Sequence, residues 1–348
     1  MSEKGKLSYK SAGVDIDTAN EAKREMADIL DDANDRVLNK VGAFASLYDG
    51  HFPGYTHPVL VLKTEEPGSK QKLALENDSI ETICQDLINH LVNDAIVMGA
   101  KPLSVQDCIV CGKLEKDVIV RMVSALAAAC KDNECILTGG ETSEQPTVVE
   151  AGTYIMTASI VGVVEKERIL DGSRIKQGDT VVALASSGVH TNGFSLVRKI
   201  IASSPTIQDE KVGGRPFLDA ILTPHRAYYV AVKDLFENDG LAGLAHITGG
   251  GIKENLNRIL PEGMSASIDL EKIRILPVFK VLKKYGGLED DDMLRTFNMG
   301  VGMAAVVRPD FAEEAIAHFK SCGVEAYAIG IIDGGDKTVK FRNALQWD

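Results

Sequence analysis

At 348 residues, with 45% hydrophobic and 25% charged side chains, the chain has ordinary globular composition and the length for two domains, each able to bury a core. Thirty-eight basic against fifty acidic residues give a formal net charge of −12, which argues against a nucleic-acid or anionic membrane surface. Phosphorylated small molecules stay open, since backbone N–H groups, a few lysines and a divalent cation suffice to hold them. No run approaches the ~20 apolar residues of a membrane span. The polar start Met1 to Lys6 carries no secretory pattern, so the cytoplasm is the expected compartment.

In chain order, a tail from Tyr9 to Asp17 leads into a helix that Thr18 is placed to cap and that runs toward Leu30. Val59 to Leu62 reads as a strand, followed by a polar loop from Lys63 to Lys72. Within that loop Gly68 and Lys70 suit a phosphate, although the full P-loop spacing is missing and an exposed turn is the competing reading. A helix from about Ser79 to Val97 follows. Its Asp86, His90, Asn93 and Asp94 recur at i, i+4, i+7 and i+8 and share one face, opposite Ile83, Leu87 and Leu91. A solvated stripe is the plain reading, but short Asn and Asp are poor helix formers where Glu and Lys usually serve, and carboxylates facing a phosphate loop suit magnesium.

A strand near Ser104 to Val110, a helix from about Lys116 to Lys131 and a strand Cys135 to Thr138 come next. Cys108, Cys111, Cys130 and Cys135 mimic zinc spacing, yet the odd separation of the first two sends them to opposite faces of a strand, so core thiols are the better reading. Gly139-Gly140-Glu141-Thr142 puts an acidic side chain behind a strand and two glycines, a candidate metal ligand or a solvated loop. After the strand Tyr154 to Val164, the segment Glu165 to Gly178 is the boundary between residues 1–170 and 171–348. The second half starts with the strand Thr180 to Leu184. It holds two glycine-rich strand-to-helix turns, His190-Thr191-Asn192-Gly193 and His246-Ile247-Thr248-Gly249-Gly250-Gly251, each able to offer unpaired N–H groups to an anion, and ends with the strand Met303 to Val307.

Taken together, the tail Tyr9 to Asp17, Val92-Asn93-Asp94, Gly112-Lys113-Leu114, Gly139 to Thr142, Leu184 to Gly188 with His190 to Leu196, His246 to Gly251 and Arg295 to Gly300 resemble the aminoimidazole ribonucleotide (AIR) synthetase family, in order from Tyr9 to about Gly330. The resemblance implies a mixed-sheet α/β (α+β) fold of two domains: an N-terminal ATP- and metal-binding domain whose sheet pairs into a barrel across a homodimer, and a C-terminal α/β substrate domain. It implies an ATP- and Mg2+-dependent cyclo-ligase acting on a phosphoribosyl amidine, with neither nucleic acid nor membrane as partner. Carried over by motif, Glu65, Asp94 and Glu141 fall near magnesium. Thr64, Gly68, Ser69 and Lys70 fall on ATP phosphates, with Asp86 and Asp107 on the nucleotide side. Asn192, Gly193 and Thr248, Gly249, Gly250 and Gly251 meet the substrate, and Lys70, His190 and His246 are the catalytic set.

The chain departs from the family where a Gly-Thr-Asp-Gly-Val-Gly-Thr-Lys loop is expected: it has Lys63-Thr64-Glu65-Glu66-Pro67-Gly68-Ser69-Lys70. Two other readings stay open on that ground. One is another ATP-using member such as thiamine phosphate kinase; selenophosphate synthetase is disfavoured, because its reactive cysteine has no counterpart before Cys84. The other is a nucleotide-binding paralogue without chemistry.

Overall fold

The computed structural model describes residues 16–30, 34–39 and 43–347; the expected tail from Tyr9 to Asp15 lies outside them. The first half contains α1 (Ile16–Leu30), β1 (Pro58–Glu65), α2 (Lys70–Glu76), α3 (Ile80–Ile96), β2 (Lys101–Cys111), α4 (Lys116–Asp132), β3 (Ile136–Glu144) and β4 (Tyr154–Glu165). Its sheet has the order β1-β4-β2-β3, with β2 and β3 parallel and the other pairs antiparallel. Helices α3 and α4 cover one face, burying Ile83, Leu87, Ile88, Leu91, Met122 and Leu126 completely. Alternation along β1 sends Val59, Val61, Lys63 and Glu65 to that helical side, and Leu60, Leu62 and Thr64 to the exposed side.

Three expectations need correction. The strand after Cys135 does not stop at Thr138: Gly139 to Thr142 remain in β3, with Gly140 to Thr142 paired to Asp107 to Ile109 of β2. A Cβ at Gly140 would lie 2.3 Å from Asp107 Oδ1, so the missing side chain is what lets the Asp107 carboxyl pass beneath the strand. Lys70 opens α2 and is not part of a loop running to Lys72. Helix α1 begins at Ile16, leaving Thr18 inside it and not at its start.

The second half holds β5 (Thr180–Ala185), α5 (Phe194–Ser203), the small hairpin β6 (Lys211–Val212) and β7 (Arg215–Pro216), α6 (Phe217–Ile221), α7 (Tyr229–Val232), β8 (Leu241–His246), α8 (Gly251–Asn257), β9 (Met264–Asp269), α9 (Pro277–Gly286), α10 (Asp290–Thr296), β10 (Val301–Val307), α11 (Ala312–Ser321), β11 (Ala326–Gly334) and β12 (Val339–Arg342). The larger sheet, in the order β12-β9-β11-β5-β10-β8, is antiparallel apart from the β12–β9 pair. Strands β5 and β10, inside the sheet, and β8, at its edge, are buried along most or all of their length. No helix among the described residues is long and apolar enough to cross a membrane.

Candidate active site

The polar stripe of α3 does not face water. Asp86 and Asn93 are fully buried, and Asn89 and His90 nearly so, against the second half. Nearly every link across this seam runs to the main chain of residues 223–228. Asp86 Oδ1 accepts from the His225 amide at 2.6 Å, Asn89 donates to the His225 carbonyl at 2.6 Å, and Asn93 donates to the Arg226 carbonyl at 2.8 Å while accepting from the Tyr228 amide at 3.1 Å. Asn133, at the end of α4, donates to Asn89 Oδ1 at 2.8 Å and so fixes which way that amide points. Unpaired polar groups at such depth each cost about 1–3 kcal/mol, so this complementarity holds the two halves in one register.

Lys70 belongs to the same seam. Its ammonium is fully buried, 2.7 Å from Asp86 Oδ2, and donates to the Thr223 carbonyl at 3.0 Å. Burial lowers the Lys70 pKa and raises that of Asp86 to about 6, against the attraction between them. The expected place of Lys70 on an open phosphate loop is therefore not what the structure has: the lysine joins the halves from inside.

Beside the seam lies a cluster of four histidines drawn from four places in the chain. His90 comes from α3, His190 from the turn after β5 together with His225 from the 223–228 segment, and His246 from the end of β8. The His190 and His225 rings stack at 3.9 Å. Burial, then neighbouring charge, pushes the pKa of both down, and His90 is lowered to about 4, so at neutral pH these rings pack uncharged. His190 has φ of 64°, a left-handed conformation uncommon for a residue with a side chain, and Gly302 leaves the space its ring needs: a Cβ there would lie 2.6 Å from His190 Cε1.

A chain of hydrogen bonds links the cluster to the carboxylate of Asp94. His246 Nδ1 is 2.7 Å from Asp94 Oδ1, His246 Nε2 is 3.0 Å from His225 Nε2, and Thr191 Oγ1 lies 3.3 Å from His225 Nδ1 and 3.0 Å from His90 Nδ1. Burial by itself would raise the Asp94 pKa, but hydrogen bonds from His246 and Lys63 hold it below the usual carboxylate range. With Asp94 accepting from His246 Nδ1, one arrangement serves every bond in the chain with a single proton on each ring. His246 donates from Nδ1, so its Nε2 accepts from His225 Nε2. His225 Nδ1 then accepts from Thr191, and Thr191 accepts from His90 Nδ1. His90 Nε2 is left as a bare lone pair, 3.9 Å from Glu65 Oε2 and 4.0 Å from Asp94 Oδ2.

The remaining expected residues divide. Gly68 packs on the Thr191 carbonyl, and Ser69 Oγ lies 3.2 Å from Ser195 Oγ, which brings this loop against the start of α5. Gly193 caps α5 at φ of 80° with no room for a Cβ against Phe297, and Asn192 Oδ1 sits 3.3 Å from where a Cβ on Gly249 would stand, so the two glycine-rich turns meet. The Thr248–Gly251 turn is tied internally, Asn255 donating to the carbonyls of Thr248, Gly249 and Gly251, while Gly250 donates to the Arg295 carbonyl. Thr64 does not join this cleft: its hydroxyl bonds Ser159 Oγ at 2.8 Å on the outer face. Asp107 is buried beside Gly140, its pKa raised to about 7 by burial and by Glu141. Residues the sequence reading left out of the site are Lys63, His90 as a site member, Thr191 and His225.

The residues 55–164 match the family model described as the N-terminal domain of AIR synthase related proteins, and residues 176–342 match that of its C-terminal domain. The chain belongs to the AIR synthase related family. It is 41% identical to the phosphoribosylformylglycinamidine cyclo-ligase of Burkholderia cenocepacia, over 94% of this chain and 93% of that one, and 39% identical to the protein of the same name from Methylobacillus flagellatus, over 95% and 96%. Among solved structures, E. coli HypE matches with a TM-score of 0.68 at 15% identity, over 93% of both chains. Thiamine-monophosphate kinase of Stenotrophomonas maltophilia matches at 0.63 and 16%, over 91% and 94%, and a HypE solved in complex with ATP at 0.64 and 16%, over 91% and 88%. At such low identity these structures support the AIR synthase related fold alone.

The carboxylates expected to hold magnesium in this AIR synthase family member do not gather around one point. Glu65 and Glu141 stand on strands at opposite edges of the first sheet. Glu65, Ala158, Asp107 and Gly140 form one row across it, three strand spacings or about 14 Å. Glu65 and Asp94 do converge, but the Lys63 ammonium lies between them, 2.9 Å from Glu65 Oε2 and 3.0 Å from Asp94 Oδ2. As folded, the set does not fit a magnesium ion.

Proposed function

We propose that the chain is an ATP-dependent cyclo-ligase that converts formylglycinamidine ribonucleotide to 5-aminoimidazole ribonucleotide, with ADP and phosphate as the other products, in purine biosynthesis. Its near full-length likeness to relatives of that name supports the reading. The observation in this chain that carries it is the Asp94–His246 pair at 2.7 Å, which joins the polar helix of the first half to the glycine-lined turns of the second.

The chemistry asks for two things. The formyl amide oxygen takes the γ-phosphoryl group of ATP and releases ADP; the amidine nitrogen then attacks the activated carbon, phosphate leaves, and one proton must be accepted as the ring closes. Positioning and charge compensation dominate the first step. Gly68, Ser69, Asn192, Gly193 and the N-terminus of the ten-residue helix α5 form the side suited to phosphate oxygens. For the second step, the bonded chain from His90 through Thr191 and His225 to His246 gives a path for the released proton. Taken up at His90 Nε2, it shifts each bond in turn and ends as a His246 imidazolium beside the Asp94 carboxylate. Lys70 and Asp86 act as positioning residues in this scheme, since they touch neither substrate.

We also assign a homodimer. On the outer face of the first sheet Leu60 is 52% exposed, Leu62 71% and Ile155 43%, a patch that calls for cover by a second copy. Sedimentation equilibrium that returns only monomer at micromolar concentration removes this assignment.

The activity is tested by incubating purified protein with ATP, Mg2+ and formylglycinamidine ribonucleotide and assaying the aminoimidazole product. The expected result is stoichiometric product and ADP in the wild type, with kcat at least ~100-fold lower in His246→Ala, the size usual for loss of one proton-transfer group. ATP binding without any product identifies a paralogue that has lost the chemistry, and phosphorylated but uncyclised product identifies a small-molecule kinase.

A further inference from the structure

We infer that Cys130 and Cys135 form an oxidisable dithiol, which a hydroperoxide closes into a disulfide that fastens the turn after α4. Helix α4 ends in a motif that folds the chain back on itself. Glu134 takes φ of 54°, its amide donates to the Lys131 carbonyl at 3.0 Å, and the Cys135 amide donates to the Cys130 carbonyl at 3.0 Å. This pair of bonds sets a side chain of the last helical turn against the one just beyond the left-handed residue, a contact usually made by two apolar groups. Here both are thiols. Cys135 Sγ lies 3.3 Å from the Cys130 carbonyl oxygen, and the two thiol groups interact directly. Both are reduced.

Their surroundings divide the roles. Cys130 is fully buried, and burial raises its thiol pKa, so it stays protonated at neutral pH. Cys135 is partly buried and lines, with Ile29, Leu30 and Arg36, a cavity of about 380 Å3 beside α1 and α4. A small oxidant therefore meets Cys135 first. Its sulfur takes one oxygen atom from hydrogen peroxide, and water leaves as the sulfenic acid forms. Cys130 Sγ then attacks the Cys135 sulfur: the S–S bond forms, the S–O bond breaks, and the hydroxide departs with the Cys130 proton as a second water. The turn so closed carries two links to the second half. Asn133 donates to Asn89, which grips the His225 carbonyl, and Glu134 pairs with Lys233. This inference does not rest on the proposed reaction and is tested without nucleotide or substrate.

Folded wild type, Cys130→Ser and Cys135→Ser are treated with hydrogen peroxide, with dimedone added to parallel samples, then unfolded in N-ethylmaleimide, cut with trypsin and weighed by mass spectrometry. Trypsin cuts after Arg121, Lys131 and Lys166, so the bond joins peptide 122–131 to peptide 132–166. The expected result is that linked pair in the wild type, short of two hydrogens and released by dithiothreitol, with dimedone trapped on Cys135 in Cys130→Ser and not on Cys130 in Cys135→Ser. Amide hydrogen exchange across residues 132–135 is expected to slow in the oxidised wild type. The inference is overturned if peroxide leaves both wild-type thiols free to alkylate, if Cys135 is oxidised without joining Cys130, or if exchange in the turn is not slowed by the bond. These wild-type readings decide it even if a serine variant fails to fold.

Discussion

Two lysine–aspartate pairs sit on the same short stretch of structure and behave as different devices. Lys70 meets Asp86 at 2.7 Å with both side chains wholly buried; Lys63 meets Asp94 at 3.0 Å with side chains 36% and 20% exposed. The two aspartates are eight residues apart on one helix, about 12 Å along its axis. Distance does not separate the pairs, whereas the surrounding medium does. In the dry seam neither partner has water to fall back on, so the pair is committed to holding the halves together. At the cleft each partner does, so the same charges remain exchangeable.

The sharpest way to break this comparison is one substitution made at both places. Lys70→Met strands the Asp86 carboxyl and should cost about 3–5 kcal/mol of unfolding free energy, whereas Lys63→Met should cost less than about 1 kcal/mol, both read by urea denaturation at pH 7. Equal losses would mean that the medium is not what distinguishes them.

A smaller effect sharpens it through pH. His90 is lowered from 6.5 to about 4, so between those values the unfolded chain binds a proton that the folded chain refuses. Stability from this residue is intact above pH 6.5 and drains away as pH falls toward 4, by at most about 3 kcal/mol. Asp86, raised to about 6, works in the opposite sense, its penalty growing as pH rises from about 4 to 6. The difference between wild type and His90→Gln therefore isolates the histidine: the variant should lose less stability than the wild type between pH 7 and 4.5, and parallel curves would show that His90 is not held neutral.

Much of this was written in the order of residues, and the remainder was not, for physical reasons. The 3.6-residue period placed Asp86, His90, Asn93 and Asp94 on one face of α3, and the two glycine-rich turns announced where the second half meets it. What periodicity omits is the identity of the neighbour: an amphipathic pattern marks a polar face without saying whether water or protein covers it, and here the cover is protein. His225 stands alone behind Pro224 with no spacing that ties it to other histidines, and only the return of the chain after α6 brings it to the cluster. Lys63 was readable in principle. Alternation along β1 puts it on the face of Glu65 and leaves Thr64 on the other, a signal hidden by treating residues 63 to 72 as one loop.

The seam between α3 and residues 223–228 has an uneven tolerance built into it. Asn89, Asn93 and Asp86 grip peptide groups, which every amino acid except proline presents alike, so residue changes at 225, 226 or 228 leave those grips intact. On the helical side no such freedom exists: each gripping residue is defined by its own side-chain amide or carboxyl. The grip on the main chain is thus indifferent to which side chains stand on one shore of the junction and wholly dependent on those of the other, and an engineer wishing to retune the histidine cluster can change position 225 while those main-chain bonds stay in place.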